Sequence, residues 1–241
     1  MPLIKTIFVF AVVSLPMILI VPLGLLILIL SYLGLKKLMI LVVYKIARFW
    51  SLLLIRLTGC KLTVLGRENI PPKEGICFVS NHGSIFDIII LLAYAGRPIG
   101  FIAKKELALI PFLNIWVLLI GGLFIDRNTV RKAVNTIHTG VARIKAGGAM
   151  IIFPEGHRSK GQGLLPFHPG SFKLATQAGA PIVPVAISGS YEVFEKNYRI
   201  HALPVRVVFG KPVRTSELSP QERRKDLSDE VYRIIAGALE G

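Results

Sequence analysis

Between Thr6 and Leu35 the chain carries no charged residue and no histidine, and the run ends at Lys36-Lys37. A surface facing water cannot be built from such a stretch, so it requires either a protein core or a lipid phase. As one straight helix it would reach roughly 45 Å at about 1.5 Å per residue, longer than the ~30 Å hydrocarbon core of a bilayer. Pro16, Pro22 and Gly24 predict that it bends. A cleaved signal peptide fits poorly, because the run is too long and no small-residue cleavage site precedes the polar part.

The next segment, residues 38–58, differs in kind. Lys45, Arg48 and Arg56 fall within an arc of about 80° at ~100° per residue, and Leu, Val, Ile, Phe and Trp occupy the rest of the circumference. This is the pattern of an interfacial amphipathic helix with cations aimed at phosphates. A two-span hairpin would put Lys36-Lys37 on the far side of the membrane, against the positive-inside rule, so a hairpin lodged in one leaflet is expected.

Composition agrees. A hydrophobic fraction of 53% and a mean hydropathy of +0.62 exceed what a soluble domain usually carries. The net charge of +15 suits nucleic acid, anionic head groups or phosphorylated substrates. The apolar run favours lipid, and the absence of zinc-finger spacing and arginine-rich tracts speaks against nucleic acid. Cys60 and Cys77 form no CxxC pair, so neither a disulfide framework nor a cysteine metal site is expected, and a reducing, cytoplasm-facing setting fits.

From about residue 61 short β-rich runs alternate with helical stretches. Strands are predicted at Lys61–Leu65, Ile76–Ser80, Ile99–Ala103, Leu123–Asp126, Ala149–Phe153, Ile182–Ile187 and Val205–Phe209. Helices are predicted near 84–95, 112–120, 129–146, 170–178 and 217–239, the third with Val130, Val134, Ile137, Val141 and Ile144 on one face and Gly147-Gly148 as its stop. The alternation predicts an α/β fold, a largely parallel sheet of about seven strands flanked by helices, preceded by an N-terminal hydrophobic two-helix membrane-anchoring motif. The expected division is residues 1–58 as anchor and 59–241 as the folded domain.

Three clusters could carry chemistry. Asn81-His82-Gly83-Ser84-Ile85-Phe86-Asp87 follows a buried-looking strand and opens a helix, where side chains project into the crevice at a strand's carboxyl end. A histidine there can take a hydroxyl proton, with Asp87 fixing its tautomer; Asn81 or Ser84 equally suits a helix cap and Asp87 a first-turn position. Gly122-Leu123-Phe124-Ile125-Asp126-Arg127 ends a strand on a charged pair in which Arg127 could hold a phosphate or simply pair with Asp126. Lys104-Lys105 closes the preceding strand with further cations. In Phe153-Pro154-Glu155-Gly156-His157-Arg158-Ser159, Pro and Gly shape a tight loop, Arg158 adds charge, and Glu155 could hydrogen-bond a substrate hydroxyl.

In this order, and with the strand Ile182-Val183-Pro184-Val185, these blocks resemble those of the glycerolipid acyltransferases, in particular the bacterial 1-acyl-glycerol-3-phosphate acyltransferases. The resemblance covers residues ~60–215. It implies direct acyl transfer from an acyl thioester, acyl-CoA or acyl carrier protein, to the sn-2 hydroxyl of lysophosphatidic acid, with His82 and Asp87 catalytic and no cofactor or metal. It also implies that Arg127, Glu155, Gly156 and Arg158 bind the phosphorylated acceptor, and that Lys104 and Lys105 match a basic position of the family. The expected setting is the inner (cytoplasmic) membrane, with the catalytic domain on its cytoplasmic face. His157 stands where the family usually has Thr, and His168-Pro169 where a Lys often precedes the following glycine; both bear on acceptor preference. The competing readings are an acyltransferase for glycerol-3-phosphate or another lysolipid, and a non-catalytic basic protein that holds anionic lipid at the membrane surface.

Overall fold

The computed structural model describes residues 2–19, 21–110, 113–126, 128–215 and 226–241. The apolar N-terminus forms α1 (Pro2–Leu19) and α2 (Val21–Leu30), and the chain then reverses through Ser31–Leu35 into α3 (Lys36–Thr58). The helix runs on through Pro16. Residue 20, between α1 and α2, lies outside the described residues. The reversal uses Gly34 at φ 93°, and Gly59 in the left-handed region ends α3. Lys5 Nζ donates to Thr58 O at 2.6 Å, so the start of α1 lies beside the end of α3 and the segment is a helical hairpin.

The remainder alternates strand and helix. The strands are β1 (Lys61–Leu65), β2 (Ile76–Ser80), β3 (Ile99–Lys104), β4 (Leu123–Ile125), β5 (Ala149–Ile152), β6 (Ile182–Ser188) and β7 (Pro204–Phe209). The helices among them are α4 (Phe86–Tyr94), α5 (Leu113–Leu119), α6 (Val130–Lys145), α7 (Lys173–Ala178), α8 (Ser190–Val193) and α9 (Asp226–Glu240). They build one seven-stranded sheet in the order β1-β7-β6-β2-β5-β3-β4. All neighbours pair in parallel except β6 with β7. Every expected strand forms, with ends displaced by at most one residue. Of the helix expected near 217–239, residues 217–225 lie outside the described residues.

The central strands read as unbroken apolar runs because both faces of the sheet are covered. On one face Phe78, Ile151 and Val185 pack with Ile90 and Leu91 of α4 and with Ile55 of α3. On the other, Val79, Ile152 and Ile182 meet Ile144 of α6, Leu174 of α7 and Val231 and Ile235 of α9. Of the apolar face expected on α6, Val141 and Ile144 are buried and Ile137 partly so, while Val134 is exposed. Its earlier turns run beside β4, an edge strand of three residues, and the helix gains a full partner only where Gly140 comes against Leu174 of α7.

The N-terminal hairpin is continuous with this body. Arg48 Nε donates to Ala93 O at 3.2 Å, Leu52 and Ile55 pack on the core beside α4, and Ile200 N donates to Thr6 Oγ1 at 2.9 Å.

Candidate active site

The carboxyl end of β2 delivers Asn81, whose amide closes a reciprocal pair with β6: Nδ2 donates to Ile187 O at 2.9 Å and Ile187 N donates to Oδ1 at 2.8 Å. The loop that follows is thereby fixed to its neighbouring strand before it reaches His82. α4 begins at Phe86, because Ser84 and Asp87 spend their polar groups on a capping box. Phe86 N donates to Ser84 Oγ at 3.1 Å and Ser84 N to Asp87 Oδ2 at 2.9 Å. The same Oδ2 lies 2.9 Å from His82 Nδ1. The capping role and the histidine-orienting role that compete for Asp87 in the sequence are therefore held together by one oxygen.

His82 is gripped from the third block as well. Its N–H donates to Glu155 Oε1 at 2.6 Å and its carbonyl accepts from Ser159 N at 2.7 Å. Its ring stacks on Phe153 with centroids 4.0 Å apart and planes at 18°. The side chain is 14% exposed, whereas Asp87 is 0% exposed. With Asp87 accepting from Nδ1–H, the tautomer leaves the Nε2 lone pair free to take a proton. Asp87 Oδ1 is buried with no hydrogen-bond partner, which leaves the carboxylate's second oxygen unshared at the histidine.

The Phe153–Ser159 loop closes by a turn in which Gly156 N donates to Phe153 O at 3.1 Å, with Gly156 at φ 77°, a conformation that disfavours any side chain. Glu155 is buried, and its Oε2 accepts from Leu165 N at 3.2 Å. Both of its oxygens are thus taken by backbone donors, which makes it a brace between two loops; burial raises its carboxyl above the usual range. Arg158, half-exposed, forms an ion pair with Glu195. His157 and His168 are exposed.

Lys105 Nζ sits 2.9 Å from Asp126 Oδ1, joining the ends of β3 and β4. This bond is the main cause that holds the Asp126 carboxyl below its ordinary range. Arg127 lies outside the described residues. Lys104 is exposed at the end of β3. In the strand order, β4 stands three strands from β2, about 14 Å across the same carboxyl edge at ~4.8 Å per strand. Among the described residues no group of three or more His, Cys, Asp and Glu side chains could hold a metal ion.

An acyltransferase family model matches residues 61–188, from the first residue of β1 to the last of β6, and encloses all three blocks. The chain belongs to the acyltransferase family. The chain is 31% identical over 209 residues to the probable 1-acyl-sn-glycerol-3-phosphate acyltransferase of Mycoplasma genitalium, covering 81% of this chain and 75% of that one. It is 34% identical over 141 residues to the 1-acyl-sn-glycerol-3-phosphate acyltransferase of Borreliella burgdorferi, covering 58% of this chain and 56% of the other. The chain thus spans little more than half the length of several curated relatives it matches. The crystal structure of the 1-acyl-sn-glycerophosphate (LPA) acyltransferase of Thermotoga maritima superposes with a TM-score of 0.83 at 26% identity, covering 99% of this chain and 95% of that one.

Two groups at the site carry no signal in the sequence. Ser190 is buried at the start of α8, with its Oγ facing Gly83, and Glu195 holds Arg158. Both follow β6 in a segment with no motif spacing, beyond the stretch the family model matches.

Proposed function

We propose that the chain transfers a fatty acyl group from an acyl thioester, acyl-CoA or acyl carrier protein, to the sn-2 hydroxyl of lysophosphatidic acid, giving phosphatidic acid. The observation that carries this reading is the His82 Nδ1 to Asp87 Oδ2 pair, braced on both sides by the loop that bears Arg158. His82 Nε2 takes the proton of the acceptor hydroxyl as its oxygen attacks the thioester carbonyl. Asp87 stabilises the imidazolium that forms, and backbone donors of the loops stabilise the oxyanion. The tetrahedral species then collapses, the C–S bond breaks, and the thiolate leaves with the proton returned by His82. Arg158 holds the acceptor phosphate, and Arg127, Lys104 and Lys105 supply further cations. Glu155 and Gly156 shape this pocket through the backbone.

The membrane seat follows from how α3 is divided. Residues 38–58 are long and apolar enough to cross a bilayer. From Arg48 onward, however, α3 is committed to the catalytic body through Arg48, Leu52 and Ile55. The part nearer the turn, residues 36–47, spans about 18 Å at ~1.5 Å per residue, close to half a hydrocarbon core, with Met39 and Val43 packed on Leu119 of α5. A hairpin of that depth fits one leaflet. Exposed apolar side chains continue outside it, with Leu109 84% exposed just after β3. The inner leaflet of the cytoplasmic membrane, with the catalytic body on the cytoplasmic side, is the setting this reading assigns.

The function is tested by phosphatidic acid formation from lysophosphatidic acid with either thioester, against glycerol-3-phosphate as the competing acceptor. Faster turnover of glycerol-3-phosphate would reassign the acceptor, and binding of anionic lipid without thioester loss would make the chain a lipid-binding protein. For the anchor, Leu35→Cys in a background lacking Cys60 and Cys77 is probed with an impermeant thiol reagent in sealed, oriented vesicles. Labelling from the face opposite the catalytic body would replace the one-leaflet hairpin with two spans.

A further inference from the structure

Glu195 lies outside every block that resembles the family, yet it touches two of them. Its Oε1 pairs with Arg158 Nη1 and its Oε2 accepts from Ile85 N at 3.0 Å. Its side chain is 13% exposed, against 38% for Arg158, so the carboxylate is the fixed partner and the guanidinium the adjustable one. The fold sets Glu195 there deliberately: Gly189 at φ 80° turns the chain off β6 so closely that an added Cβ would lie 2.3 Å from Pro204 O, and α8 then carries the chain back over Gly83. With Glu155 on His82 N and Asp87 on Ser84 N, Glu195 on Ile85 N is the third carboxylate to fix an amide of the 82–85 loop.

We propose that Glu195 is a positioning residue for the acceptor site, which holds Arg158 in register with the His82 loop so that the guanidinium meets the acceptor phosphate already oriented. The inference rests on the reading that the acceptor is phosphorylated. An arginine side chain has many rotamers and five N–H donors in a rigid fork. Glu195 engages one nitrogen and leaves the remaining donors for phosphate oxygens, so the ordering of Arg158 precedes binding and does not have to be supplied by it. Because Glu195 also ties down Ile85 N, the distance from Arg158 to the histidine loop is set by one side chain.

The test measures KM for lysophosphatidic acid, KM for the thioester and kcat in Glu195→Gln and Glu195→Ala, alone and combined with Arg158→Ala, with the melting temperature of each variant. The expected result is a rise of at least tenfold in the acceptor KM for Glu195→Ala and a smaller rise for Glu195→Gln, which keeps an oxygen for Ile85 N. The thioester KM should hold within twofold. In the Arg158→Ala background, removing Glu195 should change the acceptor KM by less than twofold. An unchanged acceptor KM in folded Glu195→Gln and Glu195→Ala, or an equal effect with and without Arg158, overturns the inference. Wild-type protein that turns over no phosphorylated acceptor contradicts the proposed function itself, whereas wild-type turnover with no Glu195 effect contradicts this inference alone.

Discussion

His82 Nδ1 stands 2.9 Å from Asp87 Oδ2, and the same oxygen takes the N–H of Ser84, so the carboxylate that orients the imidazole also starts the helix on which it rides. The five-residue offset between the two is spanned by a capping box, which converts sequence spacing into contact without a separate scaffold. Asp87→Asn keeps the shape, but a single position serves both His82 Nδ1 and Ser84 N. An amide oxygen there is neutral and no longer stabilises the imidazolium, and an amide nitrogen there can only donate to Nδ1, which moves the ring proton to Nε2, removes the base and leaves Ser84 N without its acceptor. We expect kcat to fall by on the order of 10⁴ with the fold kept, the size seen when a catalytic histidine is held in the wrong tautomer. Steady-state kinetics beside thermal melting reads this out, and a folded Asp87→Asn protein with near wild-type kcat would contradict it.

Arg158→Ala and Arg127→Ala should raise KM for lysophosphatidic acid more than KM for the thioester. A hydrogen bond to a charged group is worth about 1.5–3 kcal/mol, or roughly 10- to 150-fold in affinity. A two-substrate kinetic matrix separates the arms. If the effect at Arg127 falls on the thioester alone, that cation serves the phosphates of the donor.

Glu155 sets a pH dependence of stability. Burial raises its folded carboxyl above the ordinary value of about 4.5. A raised folded pKa means that the protonated form is favoured on folding, so this contribution is fully present below the unfolded pKa and is lost as pH rises through the folded one. Glu155→Gln removes that loss. The difference in melting temperature between variant and wild type should therefore shift in the variant's favour as pH climbs from about 4 through the raised pKa. The same variant loses an acceptor for His82 N or Leu165 N, so its turnover should fall even where its stability gains. A pH-independent difference in melting temperature would show that Glu155 does not titrate in the folded protein as described.

Direct transfer needs no nucleophilic side chain. Cys77 sits in β2 with its thiol pushed up to about 12 by burial, which keeps it protonated and unreactive at neutral pH. Cys60→Ser and Cys77→Ala should both remain active, and labelled thioester alone should leave no stoichiometric adduct by mass spectrometry. A stable acyl-protein would replace direct transfer with a two-step scheme.

Much of this fold could be read from residues 61–209, because buried parallel strands declare themselves as apolar runs such as Ile76–Ser80 and Ile182–Ser188. The order of strands across the sheet, and the antiparallel β6–β7 pair, depend on tertiary pairing that no local pattern carries. At the site, His82, Asp87 and Arg158 were legible as types with chemistry at fixed spacing. The brace by Glu155 is not legible there, because the contact of both its oxygens with backbone donors is invisible until Leu165 folds back. Glu195 gave no signal at all: its partners Ile85 and Arg158 are 110 and 37 residues away in sequence. On α3, the basic stripe was visible, but not that Arg48 serves Ala93 O in place of a lipid phosphate.

The central claim is that the imidazole held by Asp87 is the base of an acyl transfer. It is met most directly by measuring phosphatidic acid formation from lysophosphatidic acid and acyl thioester in wild type and His82→Ala, at equal membrane content and matched melting temperature. The account predicts loss of at least the ~10²–10⁴ that a general base contributes. A folded His82→Ala protein that makes phosphatidic acid at close to the wild-type rate would contradict it.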